Sequence, residues 1–282
     1  ANKRTDRYGG TLENRLRFPR EIIQTIRKKV GDDYPVAIRL NSFEPVPDGL
    51  TLEDSRVIAS LLTREGLDAV DVSAGTYASM PFVLPPTEMR PGFNVIGAET
   101  IKKCVDVPVV ANGRINEPLL AEQILKERRA DFIGMSRAFL ADAEWPNKAR
   151  AGRLEDIRRC IGCCQGCVHP EGIFAGKPIS CVLNPAVGKE KETQIQPARK
   201  AKNVMVVGGG PAGLEAARVA ALRGHHVTLL EKKNSLGGQF ILSAHAPYRQ
   251  DNAMAISWLS RQVANNGVKV ERNTEATPQL IE

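Results

Sequence analysis

The stretch NVMVVGGGPAG, residues 203–213, decides the fold of the second half of this chain. Apolar residues suited to a β-strand lead into a Gly-x-Gly-x-x-Gly turn, and the alanine-rich residues 214–223 then favour a helix. A glycine-rich turn between a strand and a helix is the phosphate-binding corner of a dinucleotide-binding βαβ unit. The sequence therefore predicts the start of a Rossmann-like domain over residues 203–282.

The three glycines and the next acidic residue have separate roles in such a unit. Gly208 permits the tight turn, Gly210 lets a pyrophosphate approach the backbone, and Gly213 lets the helix pack closely on the strand. Glu231 follows the next predicted strand, residues 227–230, at the position where a carboxylate binds a ribose hydroxyl. Together these residues predict a bound dinucleotide.

Two neighbouring features indicate which dinucleotide this is. Ala212 within Gly-Pro-Ala-Gly, and Gln239 within the Gly-Gly-Gln that follows the acidic residue, resemble the FAD site of flavoproteins that bind two dinucleotides. NAD in this first site is the alternative.

Five of the six cysteines lie between residues 160 and 181, ahead of a polar linker at residues 189–202. Four follow the spacing Cys160-x2-Cys163-x3-Cys167-x13-Cys181, and Cys164 is the fifth. Four thiolates on a short glycine-containing turn suit a 4Fe-4S cluster. Zinc also accepts four thiolates, but its ligands more often form two separated Cys-x2-Cys pairs. The spacing favours an iron–sulfur cluster and leaves Cys164 as an alternative to Cys163.

The first half of the chain alternates helical and strand patterns. Buried strands are expected at residues 36–40, 69–72, 107–111 and 131–134. Strands that alternate with helices at regular spacing predict a parallel sheet covered by helices, and four such units make half of a (β/α)8 TIM barrel. The predicted domains are the second half of a barrel (1–152), a cluster segment (153–188), the linker (189–202) and the N-terminal part of a dinucleotide-binding domain (203–282).

The third and fourth predicted strands are each followed by an arginine. Gly113 and Arg114 follow the third strand, and Ser136 and Arg137 follow the fourth. Backbone amides and arginine side chains bind phosphate oxygens, and TIM-barrel enzymes frequently bind phosphate in the loops after the seventh and eighth strands. We therefore expect the second half of a barrel with a phosphate site. The alternative is that these arginines only pair with acidic helix residues.

Residues 4–15, RTDRYGGTLENR, resemble the signature of the Old Yellow Enzyme flavoprotein family. With the cysteine run behind them, the chain is similar to the iron–sulfur branch of that family, which includes 2,4-dienoyl-CoA reductase, 2-enoate reductase and trimethylamine dehydrogenase. This resemblance implies FMN in the barrel, FAD in the second domain and a 4Fe-4S cluster. It also implies that Cys160, Cys163, Cys167 and Cys181 hold the cluster and that Cys164 does not.

The resemblance further implies which barrel residues bind FMN. Arg39 matches an arginine beside the N1–C2 edge of the flavin, where a cation stabilises the reduced ring. The residues that match the phosphate site are Gly113, Arg114, Ser136 and Arg137. Tyr77 departs from the pattern, because it stands near the place of a histidine in the dienoyl-CoA reductases. We expect Tyr77 to be either a proton donor or a packed loop aromatic. The family's main proton donor falls on barrel strands outside this sequence.

The expected function is NAD(P)H-dependent reduction of an activated C=C bond in an enoate, an enone or a dienoyl-CoA, with electrons passing from FAD through the cluster to FMN. An amine dehydrogenase of the trimethylamine dehydrogenase type is the alternative within the family. A zinc-stabilised, non-enzymatic binding protein is the alternative outside it. Because half of a barrel and a nicotinamide-binding half-domain fall outside this sequence, we expect these 282 residues alone to be inactive.

Composition limits the expected partners. The net charge is +7, but basic residues alternate with acidic ones instead of forming one stripe, so no nucleic acid partner is expected. No apolar run is long enough to cross a bilayer, and the cysteine usage indicates a reducing, cytoplasmic location. A small unsaturated molecule is the expected partner, and a homo-oligomer is left open. His169, next to Pro170, is interpreted as a loop residue.

Overall fold

The structure is a computed structural model that describes residues 2–168 and 175–281, and His169 lies outside them. The chain divides into two compact units with the boundary between Ser136 and Arg137. No helix within the described ranges is both long enough and apolar enough to cross a membrane.

The first unit alternates helices and strands, as the sequence predicts. Its elements are α1 (Leu12–Val30), β1 (Ala37–Asn41), α2 (Leu52–Thr63), β2 (Ala69–Ser73), α3 (Met80–Val83), α4 (Val95–Lys102), β3 (Val109–Ala111), α5 (Pro118–Lys126) and β4 (Phe132–Ile133). The four strands form one parallel sheet in the order β1-β2-β3-β4. Each strand therefore pairs with the next one along the chain, as in a TIM barrel.

The sequence determines where the first two long helices begin. Thr11 Oγ1 accepts a hydrogen bond from Asn14 N at 3.3 Å at the start of α1. Thr51 and Asp54 form a reciprocal capping box at the start of α2. These side chains satisfy amides that have no partner within the helix.

The sheet of the first unit has one buried face and one open face. The residues that are fully buried on the helix side are Val70, Val72, Val109 and Ala111. The opposite face carries a row of residues in register across the four strands, which are Arg39, Asp71, Val110 and Phe132. Phe132 is 58% exposed, so the described residues leave this face open. Polar side chains at the strand ends can therefore reach a ligand from this face.

The second unit joins the cysteine segment to a three-stranded sheet. Its elements are α6 (Arg137–Ala141), α7 (Trp145–Arg150), β5 (Asn203–Val207), α8 (Pro211–Leu222), β6 (His226–Glu231), α9 (Phe240–Ala244), α10 (Asp251–Asn265), β7 (Lys269–Arg272) and α11 (Pro278–Ile281). The sheet is parallel, in the order β5-β6-β7. Helices α8 and α10 supply buried side chains to its core, among them Leu214, Ala217, Trp258 and Val263.

Candidate functional site

The glycine turn of the second unit has the conformation that phosphate binding requires. Gly208 has a φ of +96°, a value that side chains disfavour. A Cβ atom at Gly213 would overlap the carbonyl oxygen of Gly208, so only glycine lets α8 pack this closely on the turn. A Cβ atom at Gly210 would meet nothing within 4 Å. The backbone before α8 therefore faces open space at a helix N-terminus, where a phosphate can bind.

The carboxylate of Glu231 is fixed beside this turn. It accepts hydrogen bonds from Lys233 N at 2.8 Å and from Gly209 N at 2.7 Å. The bond from Lys233 is the largest cause that holds the pKa of Glu231 below its ordinary value. Gly237 N donates to Gly209 O at 2.7 Å and so brings the loop with Gln239 next to the turn. An ionised carboxylate in this position can accept a ribose hydroxyl.

A cavity of about 330 Å³ lies between the N-terminus of α8 and the cysteine segment, within the second unit. Pro211, Ala212 and Glu215 of α8 line one side, and Cys163 and Gln165 line another. Sites for small molecules and cofactors have this size and combine apolar walls with a few polar groups. The cavity therefore connects the dinucleotide turn with one of the clustered thiols.

All five clustered cysteines line a second, narrower cavity. They are Cys160, Cys163, Cys164, Cys167 and Cys181. The remote Cys181 reaches the others because the chain returns beside Gly166, where Ser180 N donates to Gly166 O at 3.2 Å. A Cβ atom at Gly166 would crowd Ser180, so glycine at this position permits the close approach.

Burial determines the protonation of these thiols. It raises the pKa of Cys160 and of Cys163, and it raises the pKa of Cys167 to about 11. The positive charge of Arg137 acts in the opposite direction on Cys160 and Cys167. Buried neutral thiols become thiolate ligands when a metal centre supplies positive charge and releases their protons.

The geometry of the thiols does not identify the metal. Within residues 2–168 and 175–281, no three His, Cys, Asp or Glu side chains are grouped closely enough to hold one metal ion. Tetrahedral zinc needs its sulfur ligands at about 2.3 Å from a single ion. A 4Fe-4S cluster instead spreads four cysteine ligands over several iron atoms. Four thiols are a donor set that fits a 4Fe-4S cluster, and the choice of a cluster over zinc stays a prediction.

Cys164 differs from its neighbours in conformation and contact. Its φ is +56°, in the left-handed region that non-glycine residues rarely adopt. Arg137 Nη1 donates to Cys164 Sγ at 3.1 Å, a contact that the sequence did not indicate. Cys163, in contrast, lines both cavities. The choice of Cys163 over Cys164 as a ligand stays a prediction.

Polar side chains connect three strands on the open face of the first unit. Arg39 Nη1 lies 2.7 Å from Asp71 Oδ2, and Asn112 Nδ2 donates to Asp71 Oδ1. A Cβ atom at Gly134 would overlap the Asn112 side chain, so the glycine after β4 leaves room for it. Arg39 thus presents a positioned cation on the face where FMN is expected, and its role there stays a prediction.

The predicted phosphate residues have different surroundings. Gly113 has a φ of +125°, and the next residue, Arg114, has a φ of +57°. The Arg114 guanidinium is buried and donates to the carbonyl oxygens of Thr87 and Met89, so it organises the loop before α4. Ser136 ends the first unit and Arg137 begins the second. Their binding of phosphate stays a prediction.

Tyr77 begins a 3-10 turn, Tyr77–Ser79, in the loop after β2. It is 85% exposed, so no described residue of this chain packs over it. Its two interpretations, as a proton donor or as a packed loop aromatic in the whole protein, stay predictions.

Two residues that the sequence did not single out join the cysteine segment to α10. The Cζ atom of Arg158 lies 4.3 Å from the centroid of the Trp258 ring. Trp258 Nε1 donates to Asp156 O at 2.8 Å. Burial lowers the pKa of Arg158 below its ordinary value. A contact between residues so far apart along the chain leaves no local sequence signal.

Comparisons with known proteins give matches in both units. Residues 1–156 match the NADH:flavin oxidoreductase / NADH oxidase family, and residues 203–273 match FAD dependent oxidoreductases. The NADH oxidase of Thermoanaerobacter brockii is 43% identical over 282 residues, which cover 100% of this chain and 43% of the relative. The N,N-dimethylglycine/sarcosine dehydrogenase of Chromohalobacter salexigens is 36% identical over 100% of this chain and 41% of its own length.

A solved structure agrees with these matches. The complex of 2-naphthoyl-CoA reductase with 2-naphthoyl-CoA has a TM-score of 0.95 and 41% identity, covering 99% of this chain and 43% of that chain. The predicted fold class is therefore confirmed: half of a TIM barrel, a cysteine segment and the start of a Rossmann-like domain. The chain spans less than half the length of the relatives it matches.

Proposed function

Because this chain belongs to the NADH:flavin oxidoreductase / NADH oxidase family of enzymes, we propose that the whole protein is an NAD(P)H-dependent ene-reductase. A hydride and a proton add across an activated C=C bond of an enoate, an enone or a dienoyl-CoA. The nicotinamide loses two electrons and the alkene gains two. When bound, FAD supplies hydride acceptance, a 4Fe-4S cluster supplies single-electron transfer, and FMN supplies hydride donation.

The cavity shared by α8 and the cysteine segment carries this proposal. Pro211 and Ala212 belong to the dinucleotide turn, and Cys163 belongs to the thiol group, yet all three line one space. An FAD held by Gly210 and Glu231 and a cluster held by the cysteines would therefore be neighbours. Proximity of this kind is what electron transfer between two cofactors requires.

The first unit supports the flavin half of the proposal. Arg39 carries a cation on the open face of the sheet, held by Asp71. A cation in that position stabilises negative charge on a reduced flavin ring. Tyr77 offers an exposed phenol after the adjacent strand and would give the proton to the substrate.

The test is anaerobic purification of the whole protein, followed by analysis of iron, acid-labile sulfide, FMN and FAD. We expect all four, together with NAD(P)H oxidation that depends on added cinnamate or an enoyl-CoA. Flavin reduction by dimethylglycine without any enoate-dependent activity would support the amine dehydrogenase instead. A colourless protein that contains only zinc would contradict both enzymes.

The variant Cys181→Ala tests the electron path separately. Without its fourth thiolate the cluster should be lost, while the flavin sites keep all their residues. NAD(P)H should then still reduce FAD, but it should no longer drive alkene reduction. Reduction driven by dithionite should continue, because it can reach FMN directly. Undiminished NAD(P)H-driven reduction in an iron-free variant would contradict the path through the cluster.

A further inference from the structure

We propose that Arg158 raises the reduction potential of the cluster by holding a positive charge that forms no ion pair with a carboxylate. The proposal rests on the proposed function, because it assumes a cluster at the cysteines. Arg158 stands two residues before Cys160, and its Nη1 donates to Leu183 O at 2.9 Å, two residues after Cys181. The Arg158 side chain therefore joins the segment just before the first predicted ligand to the segment just after the last one.

The acidic groups near Arg158 are occupied elsewhere. Asp142 Oδ2 accepts from Lys148 Nζ at 2.6 Å and from the backbone amide of Arg158 at 2.8 Å, not from its guanidinium. Glu215 forms a two-bond ion pair with Arg218, at 2.6 and 2.8 Å.

The Arg158 side chain thus keeps its charge and has unused hydrogen-bonding capacity. Across the described ranges, no carboxylate lies within ion-pair distance of its guanidinium. Its Nε atom is buried and has no hydrogen-bond partner there. A buried donor without a partner costs free energy unless a ligand satisfies it, and Arg158 lines the cavity beside α8.

The Arg158 cation contacts an aromatic ring instead of a carboxylate. The guanidinium lies over the Trp258 ring at 4.3 Å, and Trp258 is itself fixed by its hydrogen bond to Asp156 O. Cation–π contact stabilises a charge without cancelling its field. The positive charge is therefore both fixed and available to neighbouring cofactors.

The effect on a cluster follows from electrostatics. A cluster with four thiolates carries net negative charge, and reduction adds one more electron. A fixed cation nearby stabilises the reduced state more than the oxidised state, most strongly where water is excluded. Loss of the Arg158 charge should therefore lower the potential.

The experiment is a redox titration of the whole protein, monitored by electron paramagnetic resonance, with three variants. Arg158→Gln should make the one-electron reduction at least tenfold less favourable, a shift of about −59 mV. Arg158→Lys should have a potential close to that of the unmodified protein, because lysine also carries a positive charge. Arg261→Gln is the control: it removes the same charge from α10, but Arg261 is about half exposed and paired with Glu155, so the potential should not change.

Each outcome decides the proposal. An unchanged potential in Arg158→Gln with full iron content overturns it and leaves the proposed function intact, and so do equal falls in Arg158→Gln and Arg158→Lys. A whole protein that binds no cluster overturns both. If Arg158→Gln loses its cluster, Arg158→Met takes its place, because an unbranched side chain fills similar space without a charge. The potential should again fall, and an unchanged value overturns the proposal.

Discussion

Arg39 and Asp71 lie opposite each other in the register of β1 and β2, and their side chains form an ion pair of 2.7 Å. Asn112 holds the other carboxylate oxygen of Asp71 from the end of β3. The Arg39 side chain is 59% exposed, so this pair contributes about 1 kcal/mol or less to folding. Its larger effect is to position the Arg39 cation and offset its charge.

Asp71→Asn should therefore change flavin chemistry more than stability. We expect the free energy of unfolding to fall by about 1 kcal/mol or less. The potential of FMN should rise, because an unpaired Arg39 stabilises the anionic reduced ring more strongly. Denaturant unfolding and a redox titration of FMN measure the two effects. Asp6→Asn, which disrupts the exposed Arg4–Asp6 pair, is the control, and equal FMN potentials in both variants would contradict this role for Asp71.

The same substitution at two glycines of one turn should have opposite consequences. Gly210→Ala places a methyl group in open space, so the unfolding free energy should change by less than about 1 kcal/mol. FAD binding should nevertheless weaken at least tenfold, because the methyl group occupies the space of the pyrophosphate.

Gly213→Ala instead overlaps the Gly208 carbonyl oxygen and should destabilise the protein by about 1–3 kcal/mol. Thermal unfolding of FAD-free protein and fluorescence titration with FAD separate the two effects. Normal FAD affinity in Gly210→Ala would show that the dinucleotide does not approach the turn there.

The features that the sequence predicted are those that depend on neighbours along the chain. The strand, turn and helix around Gly208, the cysteine spacing and the alternation in the first unit are local patterns, and all reappear in the structure. The contacts of Arg158 with Trp258 and of Asp71 with Asn112 join residues distant in sequence. They depend on how elements pack, so no periodicity or motif could indicate them.

Cys163 and Cys164 should differ sharply in iron binding. Cys163→Ala should lose most of the iron, whereas Cys164→Ala should retain it, because Cys163 lines both cavities and Cys164 contacts Arg137. Iron and sulfide analysis after anaerobic purification measures this difference. Cys164→Gly adds a second readout: the φ of +56° costs a side chain about 1–2 kcal/mol, so glycine should not destabilise the cluster-free protein. Iron retained in Cys163→Ala and lost from Cys164→Ala would reverse the ligand assignment.

Glu231 should make the stability of the FAD-free protein depend on pH at acidic values. Hydrogen bonds from Lys233 N and Gly209 N lower its pKa in the folded state below the ordinary value of 4.5. The unfolded chain therefore binds the proton more readily, and the stabilisation is present above pH 4.5 and lost as the pH falls through the folded-state pKa. Glu231→Gln, which cannot ionise, should lower the free energy of unfolding at pH 7 by about 1–3 kcal/mol.

Urea unfolding of both proteins between about pH 3 and pH 7 tests this linkage. The difference in stability should be largest at neutral pH and should shrink as the pH falls below 4.5. Glu190→Gln is the control, because its carboxylate also has a lowered pKa but lies exposed and away from the turn. A difference between Glu231→Gln and the unmodified protein that stays constant with pH would mean that the carboxylate charge does not stabilise the turn. The two backbone amides would then bind the neutral amide oxygen of the variant as well as they bind the native carboxylate.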